Sequence, residues 1–224
     1  MMKELIGLLF PPKCIFCSKI IDLKADIEIC RDCYKLIPFV EQKSVIPFSV
    51  PGGLGCCDGV ICACRYTGIV RDSLIKYKFY DKSGFCRAFA RLIAEKIKNM
   101  AVYREFDVIV SVPLHKRREH MRGYNQSLLI SRILSRELKL PEKSKILKRK
   151  KETHTQSLLP LDKRRSNLLG AFEVKHTDEI KDKTVLLVDD IMTTGITLNE
   201  CSKVLKEAGA KKVIAAVVAS GRDF

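Results

Sequence analysis

Between residues 106 and 219, short solid apolar runs alternate with segments whose apolar residues recur every three or four positions. A solid run of four to eight residues fits a strand buried on both faces, and the three-to-four spacing fits a helix with one buried side. The strands predicted this way are 106–113, closed by Pro113, a short stretch near 145–148, then 184–188 and 212–219. The predicted helices are 124–140, with Leu128, Leu129, Ile133 and Leu134 inward and Pro141 as its stop, and 197–208, with Gly209 just beyond its end. Ahead of them, 58–66 alternates like a strand and 69–80 reads as a helix. A second helix, 85–100, turns Phe85, Phe89, Leu92, Ile93 and Ile97 to one side. Strands separated by helices predict an α/β fold with a parallel sheet and right-handed crossovers.

The periodicity breaks in four places. Residues 1–12 form a short amphipathic lead-in, and 41–55 hold Pro47, Pro51, Gly52, Gly53 and Gly55, a turn or linker composition. Residues 114–123 predict a basic loop, and 143–170 are basic, polar and without period. The apolar run at 5–10 ends at Pro11-Pro12, far short of the roughly 18–20 residues that span a bilayer. The expectation is a cytoplasmic protein with no membrane insertion.

Charge adds a direction. Of a formal net charge of +15, much lies in residues 113–175, which carry 17 Lys/Arg against 6 Asp/Glu. Clustered positive charge favours a polyanionic partner, a polyphosphate or a nucleic acid. A solvated basic surface is the plainer alternative.

Ten cysteines in an expectedly cytoplasmic chain point to metal more than to disulfides. Cys14-x2-Cys17 and Cys30-x2-Cys33 match the ligand set of a tetrahedral structural zinc, with Lys13, Lys19, Arg31 and Lys35 nearby to offset thiolate charge. Reduced structural thiols are the alternative. Cys56, Cys57, Cys62 and Cys64 lack the paired spacing, and burial as small apolar groups is their commoner use.

The densest chemistry follows the 184–188 run: Asp189-Asp190-Ile191-Met192-Thr193-Thr194-Gly195-Ile196-Thr197. Two carboxylates at the carboxyl end of a buried strand suit hydroxyls or a metal, and a Thr/Gly turn opening a helix suits a phosphate. A solvated strand end is the bland alternative. A second loop supplies Lys116, Arg117, Arg118 and Arg122, whose guanidinium groups suit planar phosphate contacts. A third segment, 148–165, fits a loop that closes over a ligand, a solvated arm or a nucleic-acid contact.

The string from Asp189 to Thr197 resembles the phosphoribosyl pyrophosphate (PRPP) motif of type I phosphoribosyltransferases. Arg122-Gly123-Tyr124-Asn125-Gln126, the 155–172 segment from Thr155-Gln156-Ser157-Leu158 to Asn167-Leu168-Leu169-Gly170-Ala171-Phe172, Tyr77-Lys78-Phe79 and the four-cysteine module together resemble ComF-type competence proteins. The resemblance implies an N-terminal zinc ribbon over 1–40, a linker and hood-like region over 41–100, and a phosphoribosyltransferase-like α/β domain over 101–224. It implies that Asp189 and Asp190 meet the ribose and its metal. Met192, Thr193, Thr194, Gly195, Ile196 and Thr197 would cradle the 5′-phosphate, and Lys116, Arg117, Arg118 and Arg122 the pyrophosphate. Structural zinc and magnesium carried with PRPP are the implied cofactors. Single-stranded DNA and other competence proteins are the implied partners, in natural transformation. In some relatives an acidic residue serves as base where this chain has Thr193, so no general base is evident. Two functions therefore stand at this point: a magnesium-dependent phosphoribosyltransferase, and a non-catalytic PRPP-sensing module that binds single-stranded DNA.

Overall fold

The computed structural model describes residues 11–51, 53–150 and 170–222. Most of the lead-in at 1–12, and residues 151–165 of the expected closing loop with His154, lie outside them.

Four parallel strands build the sheet: β3 (Gly59–Arg65), β4 (Val108–Ser111), β7 (Thr184–Met192) and β8 (Lys212–Ser220), in spatial order β3-β8-β7-β4. Their alternation sorts side chains onto two faces. Ile61, Ala63, Ile109, Leu186, Val188, Ile214, Ala216 and Val218 face α2 (Gly68–Phe79), α3 (Cys86–Lys98) and α5 (Gln126–Leu138). Val60, Cys62, Val108, Val110, Val185, Leu187, Val213, Ala215 and Val217 face α6 (Ile196–Glu207). With both faces covered, β4 is buried at every residue and β8 at all but its first, as expected for parallel strands. β3 comes from the segment that reads as lying ahead of the α/β domain, yet it is an edge of this sheet.

Two antiparallel pairs flank it: β1 (Ser49–Val50) with β2 (Gly53–Leu54), and β5 (Leu147–Arg149) with β6 (Phe172–Val174). Gly209, with φ of +96°, follows α6 in the left-handed conformation that ends helices.

The structure departs from the periodicity in two places. The stretch expected as a basic loop contains a helix, α4 (Lys116–Arg122), ended by Gly123 at φ +78°. The strand expected to stop at Val188 runs on to Met192, because β8 continues to pair with it through Met192↔Ser220 after β4 has ended at Ser111. Periodicity sees only buried apolar residues, and it stops where polar side chains enter a strand that backbone pairing sustains.

At the amino end, a five-residue helix, α1 (Arg31–Lys35), closes a four-cysteine knuckle. Ile15, Ile29 and Ile37 of this module share one core with α3, and Arg87 of α3 donates to Glu28 at 2.7 Å. Among the described residues no helix is long and apolar enough to cross a membrane.

Candidate functional site

All four strands point their carboxyl ends to the same edge, where open α/β sheets gather ligand-binding loops. An open cavity of about 430 Å³ lies there. One wall is the end of β7. Asp189 Oδ1 accepts from the Ser127 hydroxyl at 2.7 Å and from the Asp190 N–H at 2.9 Å. Asp190 is buried, and its Oδ1 lies 3.0 Å from Lys78 Nζ at the end of α2. Burial, and next the charge of Asp190, push the Asp189 carboxyl up to about 7, against the hydroxyl of Ser127 and the ammonium of Lys78. Near neutral pH the Asp189 carboxyl is therefore close to its own titration.

The turn after β7 forms the floor. Gly195 has φ +76°, and a Cβ there would come within 2.9 Å of Phe48 Cζ, so conformation and space both demand glycine. Arg222 donates to the carbonyls of Thr193, Thr194 and Ser49. The guanidinium thus ties the carbonyls of the turn together just ahead of α6, and the first N–H groups of a helix, which have no intrahelical acceptor, are of the kind that suits a phosphate. Thr193 and Thr197 line the cavity. Met192 and Ile196 are buried in the core, so any contact from them is through the backbone.

Cations share the same cavity. Arg118, Arg122 and Arg149 all line the cavity. Burial holds the Arg149 guanidinium below its ordinary range, and neighbouring Arg118 pushes the same way. The charge of Asp189 acts on Arg149 the other way. Lys116 and Arg117 are exposed and do not line the cavity. Helical geometry explains the split: Arg118 and Arg122 are four apart and share a face, and the two preceding residues are turned away. A second cavity of about 400 Å³ adjoins, sharing Lys78, Phe79, Arg118 and Arg122, with the Arg122 guanidinium 5.2 Å from the Phe79 ring centre.

Of the residues singled out in sequence, Asp189, Asp190, Thr193, Thr197, Arg118 and Arg122 meet in one cavity. Lys78, Ser127 and Arg149 meet them there with no role foreseen for them. Lys78 is one of two lysines near the end of its helix, and Arg149 sits in a basic run. Only strand alternation, which turns Arg149 inward in β5, offered a local signal.

The four cysteines Cys14, Cys17, Cys30 and Cys33 bring their sulfur atoms within 4.8 Å of one another, with Cys17 and Cys30 at 3.6 Å. Tetrahedral thiolate zinc needs sulfur separations of about 3.8 Å, so the donors fit that ion. Burial opposes ionisation of Cys14, but backbone groups of Cys17, Cys30 and Phe16 outweigh it and bring the thiol down to about 7. Burial and its sulfur neighbours push Cys33 up. No cysteine lines either cavity. Cys57, Cys62 and Cys64 are buried, with Cys57 donating to the Gly59 carbonyl and Cys62 to that of Cys64.

The sequence profile of the phosphoribosyl transferase domain matches residues 78–223. The chain is similar to "Competence protein F" of Haemophilus influenzae, 38% identical over 142 residues, covering 62% of each chain. It is similar to "DNA utilization protein YhgH" of Escherichia coli O157:H7, 34% identical over 139 residues, covering 61% of this chain and 60% of that one. It is also similar to "Competence protein ComFC" of Streptococcus pneumoniae, 34% identical over 167 residues, covering 71% and 69%. The match thus spans about three fifths of the first two relatives' length and just over two thirds of the third's.

Proposed function

The chain belongs to the ComF-type competence proteins of the phosphoribosyl transferase domain family, and from that premise we propose that it binds PRPP with magnesium at the carboxyl edge of its sheet, in the cytoplasm, and acts in the handling of incoming DNA. The observation that carries this reading is one cavity lined by the carboxylates Asp189 and Asp190, the guanidinium groups of Arg118, Arg122 and Arg149, and Thr193 and Thr197 of the turn that opens α6. A ligand with a diol, a phosphate and a pyrophosphate uses all three.

In this reading Asp189 and Asp190 accept the ribose hydroxyls. Thr193, Thr194, Thr197 and the backbone from Met192 to Ile196 hold the 5′-phosphate. Arg118, Arg122 and Arg149 hold the pyrophosphate, and Lys116 and Arg117 at its margin add attraction at longer range. Magnesium would neutralise pyrophosphate charge, with hard oxygen donors available from the ligand and the carboxylate pair. Transfer to an acceptor would build positive charge at the ribose C1 as pyrophosphate leaves, so the arginines stabilise what departs and the carboxylates fix what remains. Zinc at the four cysteines is structural, since four thiolates leave no open position.

A specific observation favours the second reading, a PRPP-sensing module without chemistry that binds single-stranded DNA. Thr193 stands in the turn, and among the residues lining the ribose cavity only Asp189 and Asp190 are carboxylates, both committed to the sugar. The names of the relatives, competence and DNA utilization proteins, support involvement with DNA uptake under either reading.

Calorimetry with PRPP and magnesium tests the pocket. Wild type should bind, and Asp189→Ala with Asp190→Ala should abolish binding; unchanged affinity in that double variant overturns the site. Pyrophosphate release across a panel of nucleobases then separates enzyme from sensor. DNA affinity that does not fall with added salt would refute the electrostatic account of DNA binding.

A further inference from the structure

Lys78 lies at the end of α2, with its side chain 22% exposed, against an Asp190 side chain 8% exposed. Its ammonium takes up Asp190 Oδ1, one of the carboxylate oxygens that would be open to a ribose hydroxyl. On the neighbouring carboxylate, Asp189 Oδ1 already accepts two donors, from Ser127 and from the Asp190 backbone. Ribose hydroxyls recognised by carboxylates act as donors, so a sugar entering this pocket competes with the Lys78 ammonium. Once displaced, that ammonium cannot stay half-buried without an anion, because a desolvated unpaired charge is costly. Lysine carries a compact charge on a flexible four-carbon stem, so it can change partner where a stacked guanidinium would not. Lys78 also lines both cavities beside Arg118 and Arg122.

Resting on the PRPP reading above, we propose that Lys78 is the counter-ion of Asp190 in the empty pocket and moves onto the pyrophosphate when the sugar binds. The exchange couples the two ends of the ligand. A sugar phosphate without pyrophosphate must break the ion pair and leaves the ammonium with no replacement partner. PRPP breaks the same pair and supplies the replacement. Lys78 is thus a specificity-determining residue that selects PRPP over ribose 5-phosphate, in addition to whatever the arginines contribute.

Calorimetry on Lys78→Met with three probes tests this: PRPP with magnesium, pyrophosphate with magnesium, and ribose 5-phosphate. Affinity for PRPP should fall about ten-fold, the loss of one charge-assisted hydrogen bond, whereas pyrophosphate alone, which brings no sugar to break the ion pair, should bind much as before. Affinity for ribose 5-phosphate should rise several-fold, because its competitor is gone. A variant that merely disturbs the pocket weakens all three probes together, and that result overturns the proposal. So does a preference for PRPP over ribose 5-phosphate that stays as in the wild type. Lys78→Gln, which keeps a donor without the charge, should lose the preference for PRPP over ribose 5-phosphate in the same way and guards against a folding defect of the first variant. Wild-type protein that binds none of the three probes would instead refute the PRPP reading itself.

Discussion

At the scale of single residues, the carboxylate pair trades stability for a ligand. Burial and the charge of Asp190 raise the Asp189 carboxyl to about 7, well above the value near 4 of an unfolded chain. Between about pH 4 and pH 7 the folded chain keeps a proton that the unfolded chain has released, so stability falls as pH rises through that window and levels off above it. Asp189→Asn is expected to flatten this dependence and to gain roughly 1–3 kcal/mol near pH 8. Urea unfolding near pH 5 and near pH 8 checks it, and an equal change at both pH values would refute the assignment. Gly195 gives the converse case. Gly195→Ala must hold a side chain at φ +76° and push against Phe48, at an expected cost of roughly 1–3 kcal/mol seen as a lower unfolding midpoint, with a loss of PRPP affinity in the same sample. Asp189, Asp190, Thr193, Gly195 and Thr197 were readable because strand, turn and helix start are contiguous in the chain. Lys78 was not, because its partner stands more than a hundred positions away.

At the scale of elements, the start of α5 ties two loops together. Asn125 caps it, accepting from the N–H groups of Ser127 and Leu128, and its amide donates to the Val112 carbonyl at the end of β4. The first turn so fixed presents Ser127 to Asp189. Asn125→Ala removes a cap and leaves a buried carbonyl unpaired, a loss of about 1–2 kcal/mol. For a chain of this size the melting temperature should fall by roughly 2–8 °C, with a parallel drop in PRPP affinity that a remote cap variant of equal cost would not show. The basic stretch at 116–122 was expected as a loop because its charges carry no apolar period. Its helical form matters, since it divides four cations into a pair on the cavity wall and a pair in solvent.

At the scale of the whole molecule, the four-cysteine module is part of the same core as α3 through Ile15, Ile29 and Ile37. Its cysteines lie outside both cavities. Chelation of zinc should therefore lower the melting temperature by several degrees while PRPP binding survives below the transition. Metal analysis should give one zinc per chain. Loss of PRPP binding in a still-folded chelated protein would show that the module shapes the pocket after all. The sheet itself is built across long sequence distance: β3 pairs with β8, Gly59 standing opposite Ile214.

By itself the sequence determined what is local. Apolar runs and helical spacing specify the elements, the paired cysteines specify their ligand set, and the string from Asp189 to Thr197 sets two carboxylates and a Thr/Gly turn at the end of a buried strand. Each of these signals lies within a few turns of chain, where covalent connection alone brings the groups together. Tertiary structure decided which distant groups share a space. It joined β3 to the sheet, set Lys78 on Asp190, turned Arg149 toward Arg118 and tethered the phosphate turn with Arg222. Such pairings depend on how helices settle on the two faces of the sheet, which is a property of the packed core as a whole and leaves no periodic mark in the chain.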